Sequence, residues 1–443
     1  MTVCVVGAGA AGLSCAYELK SAGQDVVLLE AASRAGGKIG SVRQGGFLME
    51  NAALGLLDRE GDLAELCARL KLTPVPADPS AHERFAVRHG VLHQAPEGPG
   101  SALGTGLLSF GEKLSLLGEP FRKAAPRDDE TIHEFFQRRF GAAGAFAGDL
   151  MQLGVYAGDP ERLELASCFP SLAAFERARG SVIKGAMAEG KARKASGRAR
   201  PRLSSFANGM QELTEALAQA VGDSLRLDTP VRAVARTASG YTLTLGDGST
   251  QACTDLVLTL PAPAMASLLK PLDDRLGALL SQLEAAPITV VRLAYPESAF
   301  ARPPRGFGVL APGRPMIGLL LPSRLWSGRA PDGTVLLSAL VGGARARESA
   351  ALDDKTLLAL VTSELQQWFG LEQSVQPLFA DLKRWSEAIP QPVRGHRARV
   401  AEIDKSASDL GHLHLGGAWL HGVSVLDCLR DGRRIARALS ART

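Results

Sequence analysis

The chain is 443 residues long, 46% hydrophobic and 22% charged, with a formal net charge of +4. That length is more than one core serves and calls for two or three domains, and so small an excess of positive charge gives no warrant for nucleic acid. No apolar run reaches the roughly 18 residues of a spanning helix. Cys4, Cys15, Cys67, Cys168, Cys253 and Cys428 show neither a C-x-x-C pair nor a metal spacing. A cytoplasmic protein without secretory leader, disulfide or metal is the expectation.

The first element is the apolar strand Val3-Cys4-Val5-Val6, which runs into Gly7-Ala8-Gly9-Ala10-Ala11-Gly12 and then a helix from Leu13. In this G-x-G-x-x-G spacing the first glycine allows a sharp turn, the second lets a pyrophosphate approach the main chain, and the third lets helix lie on strand. The free N–H groups of the helix start then face the anion. Gly23 closes the helix, Val26-Val27-Leu28-Leu29 is the next strand, and Glu30 stands eighteen residues past Gly12, where a ribose hydroxyl needs an acceptor. A second glycine turn, Arg34-Ala35-Gly36-Gly37-Lys38, can bring cations to the same diphosphate or to a flavin carried on it.

Farther along, Leu63, Leu66 and Leu70 have helical spacing, and Asp128 to Thr131 opens a helix ahead of Phe135-Phe136. Between Arg177 and Arg202 nine Lys or Arg meet one acid, Glu189. This reads as a solvated, mobile loop, with a membrane-surface or anion-binding role as the alternative. A helix from Met210 to Val221, a strand at Ser224 to Leu227, a hairpin of Tyr241–Leu245 and Thr250–Cys253, and a buried strand from Asp255 follow. Residues 286 to 345 alternate β-rich runs, such as Thr289–Leu293 and Val335–Leu340, with glycine and proline turns. They read as a second sheet covering the ligand. Finally His414-Leu415-Gly416-Gly417 is a strand entering a glycine turn that ends at Gly422-Val423-Ser424-Val425, and Asp427 to Ala438 is helical. Glycine turns after strands at both chain ends converge on one cofactor.

This pattern resembles the FAD-dependent amine oxidase superfamily and, within it, is similar to the protoporphyrinogen oxidase family. The broad likeness rests on Gly7 to Gly12, Glu30 and Arg34 to Lys38. The narrower one rests on Gly154 to Pro160, on Trp385 to Gln391 with Gly395-His396, and on Gly422 to Cys428. The resemblance implies an α/β fold, α+β overall, with a discontinuous Rossmann-like FAD-binding domain (1–60, 203–270 and 385–443), a mixed-sheet substrate domain (61–100 and 271–384) and a helical lobe (101–202). The cofactor it implies is FAD. The diphosphate would sit on Gly7, Ala8, Gly9, Ala10, Ala11 and Gly12, the ribose on Glu30 beside Ala31, and the adenine on the main chain around Val231. Arg34, Gly37, Lys38, Ala53, Trp385, Gly417, Val423, Ser424 and Val425 would complete the cofactor shell, with Trp385 packed near the flavin ring. Leu54, Gly308 and Leu310 would form substrate wall.

The implied reaction is aromatisation of a tetrapyrrole porphyrinogen by loss of six electrons in three rounds at the flavin, with O2 as acceptor. The flavin carries the difficult step, and no acid–base pair stands out. His396 and His421, in the flavin-proximal stretches, read as structural histidines. Where the family follows Glu50 with a residue and Gly-Pro, this chain has Asn51-Ala52-Ala53-Leu54; Leu54 replaces a polar or cationic residue near a substrate propionate. Pro392 and Ala418-Trp419 also depart from the pattern. Coproporphyrinogen oxidation, amine oxidation and a flavin-binding homologue without turnover stay open. So do a homodimer and peripheral contact with the inner face of a membrane.

Overall fold

Alternation along the first strand, Thr2–Val6, sends Val3 and Val5 into one apolar cluster and Cys4 and Val6 into another. A strand that buries both faces belongs in the middle of a covered parallel sheet. In the computed structural model, which describes residues 2–58, 61–96, 101, 104–196 and 202–441, it lies there. The sheet order is Leu225–Arg226, Asp25–Leu29, Thr2–Val6, Asp255–Leu258 and Leu413–Leu415, all parallel. Helices Ala10–Ser21, Gln211–Val221 and Val425–Ser440 cover one face. Ala262–Leu269, Asp274–Ser281 and His396–Leu410 cover the other. The first and last helices touch at backbone distance: a Cβ at Gly432 would lie 2.1 Å from the Ala11 carbonyl oxygen.

The second sheet has seven strands in the order Phe379–Gln391, Glu284–Pro296, Thr334–Gly342, Met316–Leu320, Gly308–Leu310, Arg84–Arg88 and Val91–Gln94. All neighbours are antiparallel except Gly308–Leu310 with Arg84–Arg88. One face, through Val291, Leu293, Val309, Leu319, Leu337 and Ala339, packs on the helix Asp354–Phe369. The opposite face looks toward the parallel sheet's ligand edge. Residue 385, at which the sequence reading opens a flavin segment, lies inside the continuous strand Phe379–Gln391.

Between 104 and 196 the described chain is mainly helical, and one expectation needs correction. The basic stretch from Arg177 is no mobile loop: Val182–Ala195 is a helix. Its start is held by Ser181, whose Oγ accepts from Lys184 N at 3.1 Å, and by the buried Glu119 carboxylate, which accepts from Val182 N at 2.9 Å and Ile183 N at 3.2 Å. A carboxylate at a helix N-terminus satisfies otherwise orphan donors and complements the helix dipole. Residues 59, 60, 97–100, 102, 103 and 197–201 fall outside the description, and with them Ala102, Arg198, Arg200 and the proposed boundaries at 60 and 100. No described helix is long and apolar enough to cross a membrane.

Candidate active site

Gly7 has φ +99°, closed to ordinary side chains, and a Cβ at Gly12 would stand 1.8 Å from the Gly7 carbonyl oxygen. These two glycines are required by the protein's own packing. Gly9 is different: a Cβ there would meet nothing within 4 Å, so its space is open. Gly9 is the N-cap of Ala10–Ser21, and this helix start has neither a side-chain cap nor an acid in its first turn. Ala10, Ala11 and Gly12 thus present backbone donors to the opening, the arrangement an anion requires. Gly36 N donates to Ala8 O at 2.7 Å and a Cβ on Gly37 would lie 3.2 Å from Gly9 Cα, so the second glycine turn backs the first.

Glu30 accepts from Ala8 N at 2.7 Å and from Ala32 N at 2.9 Å. An ionised carboxylate has about four acceptor positions, so capacity remains for hydroxyls. Thr229 N donates to Glu30 O, and this brings the strand that starts at Val231 beside Glu30 and the exposed Ala31. Arg34 turns inward and donates to the Ile39 and Gly37 carbonyls, both at 2.8 Å, shaping the turn it lies on. Lys38 reaches the carbonyls of Glu387 and Ala388, the latter at 2.7 Å, and burial lowers its ammonium pKa.

That bridge delivers Trp385. Its indole N–H donates to Asn51 O at 2.9 Å, while Asn51 N donates to Gly40 O and Asn51 Oδ1 accepts from Arg292 at 3.0 Å. Asn51, which sequence reasoning treated only as a departure, is the hub joining the glycine loop to the second sheet. Arg292 is buried and also ion-paired to Asp381. Ala53 follows, half-buried. Leu54 does not join Trp385; it packs with Leu325 and Trp326, against Phe307 and Leu320. Leu310 does, in a cluster with Leu153, Ile288, Val290 and Ile389. Gly308, at φ +153°, is forced by the neighbouring strand, since its Cβ would meet Leu319 O at 2.1 Å.

At the other end of the chain, Gly417 N donates to Asp431 Oδ2 at 2.8 Å and Gly417 has φ +128°. Ser424 caps the last helix: its Oγ and N both donate to Asp427, and Asp427 N returns a bond to its Oγ. Val425 packs on the core between first and last helices, and Val423 against Tyr156 and its neighbours. Both helix starts, Ala10 and Val425, follow parallel strands, so they share the carboxyl edge of the sheet, where ligands of such sheets bind. Gly422 and Val423 also border a cleft of about 860 Å³ with Tyr156, Pro392, His396, Trp419 and His421. His396 is buried, which lowers its pKa and keeps it neutral. Two of the three narrower motifs meet here: Gln391 Nε2 donates to Tyr156 O at 2.8 Å. Among the described residues no three His, Cys, Asp or Glu side chains stand together as metal ligands.

The model of the flavin-containing amine oxidoreductase family matches residues 10–440. The chain belongs to that family. It is an FAD-dependent oxidoreductase, and the open turn at Gly9 with its uncapped helix fits a dinucleotide. Over 472 residues it is 31% identical to mitochondrial protoporphyrinogen oxidase of Nicotiana tabacum, covering 97% of this chain and 93% of the relative. It is 25% identical to coproporphyrinogen III oxidase of Bacillus subtilis (strain 168), covering 97% and 96%. A crystal structure of a proposed protoporphyrinogen oxidase from Exiguobacterium sp. 255-15 superposes with a TM-score of 0.86 at 23% identity, covering 100% of this chain and 99% of that one, and shares the fold.

Proposed function

We propose that this flavoprotein oxidises protoporphyrinogen IX to protoporphyrin IX, with three O2 reduced to three H2O2 as six electrons and six protons leave the macrocycle. The observation that carries this reading is the sheet face beside Trp385. In register across five strands stand Val290, Leu340, Gly318, Leu310 and Ala86, an apolar row with no acid or amide in it. Such a surface suits a large, mostly apolar macrocycle rather than a small amine. Likeness to the tobacco enzyme supports the same choice.

In this reading the mixed sheet carries substrate and the parallel sheet carries cofactor. Gly7 to Gly12 hold the diphosphate, Glu30 the ribose, and the main chain at Val231 the adenine. Lys38 and Asn51 fix Trp385, which would pack near the ring, and the Val425 helix start would complete the cofactor seat. FAD, when bound, supplies the two-electron acceptor; the protein positions the macrocycle, excludes water with apolar side chains and leaves the proton inventory to solvent. Anaerobic mixing with protoporphyrinogen IX tests it: bleaching of the flavin absorbance is expected, and porphyrin fluorescence once O2 is admitted. No bleaching beyond the buffer control, with bleaching by an amine, would sink it. Coproporphyrinogen III is the second reading, favoured by the Bacillus relative. Four carboxylates on this apolar row would each need a partner, because a buried unpaired charge costs several kcal/mol.

We further propose that the helical region meets an anionic membrane surface. Phe110, Leu114 and Leu117 form one stripe of the helix Phe110–Leu117 and are 76%, 53% and 53% exposed; Phe121 is 87% exposed and Met187 66%. Lys184 lies 6.0 Å from the Phe121 ring centre, on the helix that also bears Lys191, Arg193 and Lys194. Exposed aromatics beside lysines match the chemistry of an anionic lipid interface.

A further inference from the structure

All six cysteines are free thiols, and Cys4 and Cys253 touch. Cys4 lies on the central strand Thr2–Val6, and Cys253 ends the strand Thr250–Cys253, whose next residue, Thr254, donates its N–H to Thr2 O at 2.9 Å. That bond brings the end of the hairpin to the central strand, and both side chains enter the same apolar cluster. There the Cys4 thiol donates to the Cys253 sulfur. The Cys253 sulfur also accepts from the main-chain N–H groups of Cys4 and Tyr241, so three donors converge on it. Cys4 is fully buried, whereas Cys253 keeps 8% of its surface open to solvent. The other four cysteines differ. Burial pushes the Cys67 thiol up to about 11 and the Cys428 thiol up to about 12, and it moves Cys15 and Cys168 farther the same way. The hydrogen bond from Cys4 instead holds the Cys253 thiol below the ordinary range. A thiol so placed is the first to ionise, and the thiolate is the form that attacks.

We propose that Cys253 and Cys4 form a peroxide-reactive pair that closes into a disulfide inside the parallel-sheet domain. The oxidant is hydrogen peroxide, which the oxidase reaction proposed above releases and which serves equally from any other source. The Cys253 thiolate attacks one peroxide oxygen; the O–O bond breaks, Cys253 becomes a sulfenic acid, and the departing hydroxide takes up the proton that Cys253 had lost. The Cys4 sulfur then attacks the Cys253 sulfur. The S–O bond breaks, and the hydroxide that leaves carries off the Cys4 proton as a second water. Two electrons pass from the two sulfurs to the peroxide, so no further reductant enters. Exposure sets the order: peroxide reaches Cys253 first, and Cys4 waits behind it. Because the sulfurs already touch, side-chain rotation closes the bond with the strands in place. The cross-link joins residues 249 positions apart and ties the strand that delivers Gly7 to the hairpin, which restricts the unfolded chain and favours the folded one.

The test treats the reduced, FAD-loaded protein with a small excess of H2O2, alkylates the remaining thiols, and follows each cysteine by mass spectrometry of the digest. A peptide pair joined through Cys4 and Cys253 should appear at least about tenfold faster than oxidation of Cys15, Cys67, Cys168 or Cys428, because the thiolate is the reactive form. Dithiothreitol should reverse it, and the oxidised protein should melt at a higher temperature than the reduced one. In C4A the sulfenic acid has no partner, so a dimedone adduct should accumulate on Cys253 at least about tenfold above wild type; in C253A, Cys4 should stay open to alkylation. The wild-type digest decides alone should either variant fail to fold. Cys4 and Cys253 both still alkylated after other cysteines have oxidised would overturn the inference. So would a disulfide from either one to a different cysteine, a wild-type dimedone adduct equal to that of C4A, or an oxidised form that melts no higher than the reduced. None of these readouts involves a porphyrinogen, so their failure leaves the proposed function standing.

Discussion

The edge of the parallel sheet and the face of the mixed sheet build two halves of one site by opposite means. At the parallel edge the working groups are main-chain N–H donors, and the side chains are absent so that backbone can approach backbone: Gly12 on Gly7, Gly37 on Gly9, Gly432 on Ala11. On the mixed sheet the proposed surface is made of side chains from strands about 200 residues apart, aligned only by register, with Ala86 and Val290 at the ends of one row. A site of backbone tolerates no added atom. A site of side chains tolerates many exchanges, and so it is where substrate preference can vary within a shared cofactor fold.

The largest expected effect separates glycines that pack from the glycine that faces open space. G12A drives a methyl into the Gly7 carbonyl, and G432A drives one into the Ala11 carbonyl. Each should cost more than about 4 kcal/mol or prevent folding, since main chain must move. G9A should keep the fold, since a methyl there meets nothing within 4 Å, and should instead weaken FAD retention if, as proposed, that space takes the diphosphate. Thermal unfolding of the stripped protein and flavin fluorescence after gel filtration read the two separately. A G9A protein that melts as low as G12A would end the distinction.

Next comes the core of the helical region. Arg139 and Glu119 are ion-paired, both fully buried, and Glu119 also accepts from Ser181 Oγ at 2.5 Å and from the start of the following helix. Removing one partner of such a pair leaves an uncompensated charge and costs about 3–5 kcal/mol. R139A should therefore lower stability to denaturant by that amount and expose Val182–Ala195 to proteolysis, while FAD binding at low temperature is kept. Loss of flavin in step with the helix would mean that the two regions do not unfold separately.

These contrasts explain what the sequence disclosed. The strand, glycine turn and helix at the start of the chain, the hairpin at Tyr241 and the last helix were legible because each depends on residues a few positions apart, where glycine spacing and alternation act directly. The helix Val182–Ala195 was misread as a loop because its charge pattern resembles a solvated segment, whereas its start is fixed by Glu119, sixty-three positions before Val182. Ser424 also caps the last helix, a role that its S-x-x-D spacing to Asp427 signals. Asn51 and Arg292 carried no local signal, since their bonds join segments hundreds of residues apart, which no short stretch encodes.

A smaller effect depends on pH. The Arg88 guanidinium, with help from Ser109, holds the Glu112 carboxyl down to about 2, and this pair fastens the helix Phe110–Leu117 to the mixed sheet's Arg84–Arg88 strand. A carboxyl held below its ordinary 4.5 contributes stability that is complete above that value and is lost as pH falls through about 2. E112Q should be less stable than wild type by about 2 kcal/mol at pH 7, the worth of charge-assisted bonds. The gap should shrink from pH 4.5 downward and close near pH 2. A gap that stays constant through this range would show that the bonds lost are insensitive to charge.

The smallest expected change in stability belongs to the exposed stripe on that same helix. Leu114 and Leu117 face solvent, so L114S and L117S together remove little buried area and should shift stability by no more than about 0.5 kcal/mol each. Their effect should appear elsewhere. If the stripe and the lysines of Val182–Ala195 share a lipid surface, each basic residue near it adds about 1 kcal/mol and is screened by salt, while the apolar contribution is not. Wild type should co-sediment with vesicles rich in phosphatidylserine at low salt. The serine pair should bind more weakly at every salt concentration, and K191Q/K194Q should lose chiefly the salt-dependent part. Binding to neutral vesicles unchanged by either pair, or no binding at all, would return both features to ordinary solvent-facing surface, whereas a separation of the two dependences would assign the aromatic stripe to depth of insertion and the lysines to the attraction that precedes it.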